Sequence, residues 1–256
     1  MGAGMARGAA RRGRRIAFGN QETQTIIWDK HSREIFFRNP NVAPPGHEKH
    51  GDLDWVEFYK GKRIYNSQTQ DRWVWNYDFR PTPGEMYFSP LETRRAAGLL
   101  ANTILIEPHV PRWKTVAPNK DWGFERYQAV ADRLIVHGFK VAQFRYGAPM
   151  LEGVRPMATG SFREALALMV SAALYIGPEG GLHHGAAALG KPAVVLFGGF
   201  IPPQVTGYDT HTNLTGGAEA CGSLRTCAHC RKAMDNIAVE EVVAAAVAQI
   251  PGTVHA

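Results

Sequence analysis

From about residue 101 the chain alternates short apolar runs with amphipathic segments, and this alternation restricts its fold more than any other feature. "TILIEP" (Thr103–Pro108) is a buried-strand run ended by a proline. "DWGFERYQAVADRLIVHG" predicts a helix. Asp121 suits its N-cap, Phe124, Tyr127, Ala131 and Leu134 share one face, and Gly138 closes it. "KVAQFRY" predicts a strand, and "SFREALALMVSAA" a helix opened by a capping box of Ser161 and Glu164. The strand "LYIG", the short helix "LHHGAAALG" ending at Gly190, the strand "AVVLFGG" and the helix "VEEVVAAAVAQI" follow. Strands separated by helices imply an α/β fold, a doubly wound parallel sheet covered on both faces. Ligands of such a sheet bind beyond the carboxyl ends of its strands.

One connection carries more than a turn requires. "GPEGGLHHGAAALGKPAVVLFGG" (Gly177–Gly199) sets Glu179, His183 and His184 between two apolar runs. Backbone N–H groups at the start of the helix near Leu182 lack intrahelical partners and favour an anion. Gly180 and Gly181 allow close approach to a diphosphate, and Ala186, Ala187 and Ala188 keep the helix thin against the sheet. A carboxylate beside phosphate is repelled, so Glu179 suits a ribose or sugar hydroxyl, or the support of an imidazole.

Glu179-Gly180-Gly181-Leu182-His183-His184, followed by "AAALGKP" and "AVVLFG", resembles the signature of family 9 glycosyltransferases, the ADP-heptose:lipopolysaccharide heptosyltransferase group. "ILIEPHVPRWKTVAPNKDWGFERYQAVADRL" upstream and "AMDNIAVEEVVAAAVAQI" downstream are similar to further segments of that family, over roughly residues 100–250. The resemblance implies a GT-B fold, with a C-terminal Rossmann-like domain at 101–256 and a reduced N-terminal α/β domain on the acceptor side at 16–100. It implies a glycosyltransferase that moves a sugar from a nucleotide-diphosphate sugar to an acceptor hydroxyl of a saccharide or lipopolysaccharide. Lys120 would face the donor diphosphate with Trp122 packed beside it, and Glu179 to His184 would form the donor loop. Charge compensation by Lys120 would let transfer proceed without a metal cofactor. Two departures bear on the donor: Glu179 stands where the family has Asp, and Gly180 where it has Ser or Thr.

The first half is short. "RIAFGN" (Arg15–Asn20) predicts a strand ending in the family's acceptor-side loop, where the family's Asp, its general base, is replaced by Asn20. Asn cannot accept the proton, so Glu22, ranked above Asp29, is the nearest carboxylate candidate for catalysis. In "DRWVWNYDFRPTPGEMYFSP", alternation through Trp73, Trp75, Tyr77 and Phe79 predicts a strand with aromatics on one face, for stacking on an acceptor or filling a core. Arg72, Asn76, Asp78 and Arg80 would line the other face.

The charge of +6 is concentrated: residues 1–15 carry five arginines and no acid, and without them the net charge is about +1. The segment is expected to be a disordered tail. A basic arm also permits DNA with hydroxylated bases as acceptor, as in a compact phage enzyme. A non-catalytic nucleotide-sugar or nucleic-acid-binding module and a GT-B-related epimerase are further alternatives. Cys221, Cys227 and Cys230, in "CGSLRTCAHC", offer three soft ligands for a structural zinc, with His229 or His211 as a possible fourth. Reduced, buried thiols are the competing reading. No apolar run reaches the ~18–20 residues of a membrane span, and no signal peptide is evident, so a cytoplasmic location is expected.

Overall fold

The computed structural model describes residues 2–57, 62–110, 115–146 and 149–250. In place of the expected disordered tail, its amino-terminal segment is a helix, α1 (Gly2–Ala10). The cause is a stripe of small residues: Ala3, Ala6 and Ala9 are buried, and Ala6 and Ala9 pack with Ile16 and Val42. Gly4 lies so close to the Thr82 carbonyl that a Cβ would stand 2.2 Å from its oxygen. Four of the five arginines are occupied as well. Arg7 pairs with Glu85 at 2.9 Å, Arg12 and Arg14 share Asp54, and Arg15 pairs with Asp52 at 3.0 Å.

Strand β1 (Arg15–Asn20) then pairs with β2 (Thr25–Ile26) antiparallel and β3 (Leu53–Glu57) parallel, with α2 (Lys30–Phe36) in the crossover. A second small sheet is an antiparallel ribbon of β4 (Lys62–Arg63), β5 (Asn66–Gln68) and β6 (Trp73–Trp75). The aromatic alternation thus ends at Trp75, because the Asn76 N–H bonds back to the Tyr65 carbonyl and the chain turns. Helix α3 (Pro90–Ala96) follows, with a full capping box of Ser89 and Glu92.

The main sheet has six parallel strands: β7 (Thr103–Ile106), β8 (Lys140–Arg145), β9 (Arg155–Ala158), β10 (Leu174–Pro178), β11 (Ala193–Leu196) and β12 (His211–Leu214). Their order is β12-β11-β10-β7-β8-β9. Alternation within β7 divides the core. Ile104 and Ile106 face α4 (Phe124–Val136) and α9 (Val239–Ala248). Leu105 faces the side covered by α5 (Phe162–Met169) and α6 (Gly181–Ala188). Two connecting helices, α7 (Pro203–Thr206) and α8 (Ala228–Asn236), complete the unit. The helix starts differ in detail from the sequence patterns. Gly123, not Asp121, is the N-cap of α4, and Asp121 accepts instead from the Gly123 N–H. Ser161 caps the Glu164 N–H, but the Glu164 carboxylate reaches Gly160 rather than Ser161.

From β7 the chain winds outward through β8 and β9, then returns to the other side as β10. The carboxyl ends of β7 and β10 therefore flank the switch point where a doubly wound sheet opens a ligand crevice.

Candidate active site

A cavity of about 830 Å³ lies at this switch point, lined by Lys120, Glu179, Gly180, Gly181, Leu182 and His184 together with Trp73 and Trp75. That volume is within the range of small-ligand pockets. The Glu179–His184 loop thus meets the aromatic ribbon from the first half of the chain. Gly180 precedes α6 with an extended backbone, and a Cβ there would meet nothing within 4 Å. Gly181 instead sits over the Phe162 ring, 3.3 Å from where its Cβ would be.

The polar groups of the loop form a chain. Lys120 Nζ, at the end of a 3-10 turn (Ala117–Lys120), donates to Glu179 Oε2. Glu179 Oε1 lies 3.6 Å from His184 Nε2, and His184 Nδ1 is 2.9 Å from the Tyr208 hydroxyl. Burial alone would raise the Glu179 carboxyl, but the Lys120 ammonium, backed by His184, outweighs it and holds the group below the usual carboxylate range. Burial pulls His184 down to about 4 despite the carboxylate beside it, so the imidazole is neutral at pH 7. His183 does not reach the cavity. It is fully buried among His184, Phe197, Tyr208 and His211, and neither ring nitrogen has a hydrogen-bond partner.

A second acidic group lines the same cavity and was not singled out from sequence. Glu107 directly follows β7 and is 2% exposed. Its Oε1 accepts the His109 backbone N–H at 3.2 Å and lies 3.0 Å from His109 Nδ1, while Oε2 has no partner. Burial raises this carboxyl, against the opposing pull of His109. The available signal was positional: a carboxylate and an imidazole in "EPH", immediately beyond the carboxyl end of a buried strand.

The catalytic candidates Glu22 and Asp29 are not brought to the cavity. Both are exposed, and Asp29 caps α2 by accepting from the Ser32 N–H at 2.7 Å and its hydroxyl at 2.8 Å. Asn20 holds a turn through the Thr23 N–H at 2.8 Å. Of the acceptor-side candidates, Trp73 and Trp75 line the cavity. Asn76 is tied to the Ile64 carbonyl, and Tyr77 is exposed outside it.

Cys221, Cys227 and Cys230 converge, with Cys221 Sγ 3.3 Å from Cys230 Sγ and 3.9 Å from Cys227 Sγ, and no disulfide links them. Tetrahedral thiolates with metal–sulfur bonds of about 2.3 Å have edges of about 3.8 Å, so the three occupy corners such a metal could use. Neither His229, bonded to the Glu219 carbonyl, nor His211, bonded to the Lys191 carbonyl, joins them among the described residues. The loop is joined to the cavity on two sides. Buried Asn119 donates to the Ser223 and Arg225 carbonyls and accepts the Cys227 N–H at 2.9 Å, one residue before Lys120. The Trp73 N–H donates to the Gly222 carbonyl at 2.8 Å.

Fold and site together define a doubly wound α/β protein of GT-B type, with an anion-favouring helix start at its switch point. Residues 67–238 match the family model of glycosyltransferase family 9 (heptosyltransferase), and the chain belongs to that family. Its structure is similar to a family 9 glycosyl transferase from Veillonella parvula, at 24% identity, TM-score 0.53, and 66% and 54% of the two chains covered. It is also similar to the iron-containing dodecameric glycosyltransferase TibC from enterotoxigenic E. coli, at 18% identity, TM-score 0.50, and 66% and 50% covered. The chain spans about half the length of these solved structures. No curated protein sequence matches it. Among the described residues no helix is long and apolar enough to cross a membrane.

Proposed function

We propose that the chain is a glycosyltransferase that takes its sugar from a nucleotide-diphosphate donor and passes it to a saccharide hydroxyl. The observation that carries this is the convergence, in one cavity, of the start of α6, the Lys120–Glu179 pair and the tryptophans of β6. The donor diphosphate lies against the first-turn N–H groups of α6, with Gly180 leaving room for it. Lys120 offsets the negative charge that grows on the leaving diphosphate oxygen. Glu179 holds Lys120 and accepts from a ribose or sugar hydroxyl. The acceptor enters along Trp73 and Trp75, whose faces suit sugar rings. Family membership supports a nucleotide-sugar donor. Pairing of Arg7, Arg12, Arg14 and Arg15 with carboxylates favours a saccharide acceptor over DNA.

The cysteine loop is read as a structural metal site for zinc or iron, which suit thiolates. Through Asn119 it would brace the turn that carries Lys120. The test is a thermal-shift screen against ADP, GDP, UDP, CMP and dTDP and their sugars. Stabilisation by one nucleotide and its sugar is expected. No stabilisation by any of them at millimolar concentration would reject the reading.

A further inference from the structure

We infer that His109 is the general base of the transfer reaction and that Glu107 positions it, a role that rests on the glycosyltransferase reading above. Transfer to a hydroxyl needs a group to take its proton. Asn20 is engaged in a turn, and the exposed Glu22 and Asp29 lie outside the cavity. Among the described residues, the cavity's carboxylates, imidazoles and ammonium are Glu107, His109, Lys120, Glu179 and His184. Lys120 and Glu179 neutralise one another, and His184 is held between Glu179 and Tyr208. Glu107 and His109 form a separate pair.

The geometry is that of a carboxylate–imidazole dyad. Glu107 is buried and anchored by the His109 backbone N–H, which fixes the carboxylate. Its Oε1 stands 3.0 Å from Nδ1 of a partly exposed imidazole. An ionised Glu107 accepts the Nδ1 proton and so selects the tautomer in which Nε2 carries a lone pair. No hydrogen bond among the described residues engages that Nε2. Both groups line the cavity, but the Glu107 side chain is only 3% exposed against 31% for His109, so the imidazole is the group a hydroxyl reaches. Two charge-handling systems therefore flank the switch point. Lys120–Glu179 lies by the end of β10 and serves the leaving group, and Glu107–His109 follows β7 and serves the incoming one.

In the step, the acceptor oxygen bonds to the anomeric carbon as its proton passes to His109 Nε2. The bond from that carbon to the diphosphate oxygen breaks, and its electron pair leaves with the nucleoside diphosphate. The resulting imidazolium is stabilised by the Glu107 carboxylate, and the proton is released to solvent after the products leave.

The test uses the full chain, with ADP, GDP, UDP and dTDP and their hexose and heptose conjugates as probes and water as the simplest acceptor. Nucleotide binding is followed by calorimetry and nucleoside diphosphate release by coupled assay. His109→Ala is expected to bind the nucleotide within about threefold of wild type. Its release rate should fall about 10²–10⁴-fold, with partial recovery on adding imidazole. His109→Gln serves in its place if His109→Ala does not fold. Glu107→Gln should lose less rate, with the loss in kcat rather than KM and little recovery on adding imidazole, because the base is still present and only its orienting carboxylate is gone. Wild-type release in the histidine variant, or loss of nucleotide binding in step with rate, overturns the assignment. A wild-type chain that neither binds nor splits any donor overturns the transferase reading and the dyad together, and that failure is already visible before any substitution.

Discussion

Lys120 and Glu179, 59 positions apart in sequence, form an ion pair with side chains only 16% and 7% exposed. Each gives the other a counter-charge that water cannot supply there. The pair also gives the cavity a cation already fixed in place, because the ammonium is held by the carboxylate.

Breaking this pair from one side leaves a buried, uncompensated charge. Lys120→Ala is expected to destabilise the fold by about 3–5 kcal/mol, and Glu179→Gln in the same background to recover much of that. Urea unfolding of the two single variants and the double variant measures it. A double-variant loss equal to the sum of the two single losses would show the pair to be weakly coupled. Nucleotide affinity should fall in all three.

Gly180 separates binding from folding. Its backbone is extended, so a side chain is tolerated, and a Cβ there meets open space on the cavity side. Gly180→Val should stay within about 1 kcal/mol of wild type, the scale of an N-cap change, yet weaken nucleotide binding at least about tenfold by filling that space. Gly177→Ala is the contrast. Its Cβ would lie 2.2 Å from the Tyr175 hydroxyl and 2.9 Å from the Glu107 carbonyl, so stability itself should fall by about 1–3 kcal/mol. Calorimetry and unfolding on both variants distinguish the two effects.

If the three cysteines hold a metal, elemental analysis of the purified chain should find about one zinc or iron per molecule. A strong chelator should then lower the melting temperature. Cys227→Ser should remove the metal and, through Asn119, also weaken nucleotide binding. A metal-free chain with wild-type stability would leave the cluster as three reduced thiols.

Acid should weaken the fold well before its carboxylates protonate. Burial holds His184 and His211 at about 4, below the ~6.5 of an exposed imidazole. A depressed histidine binds its proton more readily in the unfolded chain. Stability is therefore full above about 6.5 and is lost as pH falls toward 4, by roughly 1.4 kcal/mol per unit for each group. Denaturant midpoints measured from pH 7.5 to 4.5 should show this slope. His211→Gln should flatten it.

Deleting residues 2–10 should lower the melting temperature, because the deletion uncovers Ile16 and Val42 and frees Glu85 from Arg7. A truncated chain as stable as the full one would show that α1 contributes little to folding.

The strands of the central sheet were legible because each is an unbroken apolar run. Thr103–Ile106, Leu174–Gly177 and Ala193–Leu196 lie in the middle of a parallel sheet, where both faces exclude water. The edge strands β9 and β12 were not. "RPMA" and "HTNL" are half solvated and carry polar residues, so periodicity does not mark them. Helix α1 escaped for a related reason: alanines and glycines among arginines resemble a disordered arm until another surface lies close enough to bury them.

For the site, local sequence was sufficient for the loop from Glu179 to His184, where glycines, carboxylate, imidazoles and helix start all fall within a few residues. It could not supply Lys120 as the partner of Glu179, because the two meet only when β7 and β10 become neighbours. It marked Glu107 and His109 only by their place just beyond a buried strand, and the exposure of Glu22 and Asp29 away from the cavity is a matter of the fold. Chain order is one-dimensional, and the switch point arises from a crossover that brings two strands together across some 70 intervening residues. The residue types and the α/β alternation were thus determined by sequence alone. Which acids share a cavity, and which merely cap a helix, was decided by that crossover.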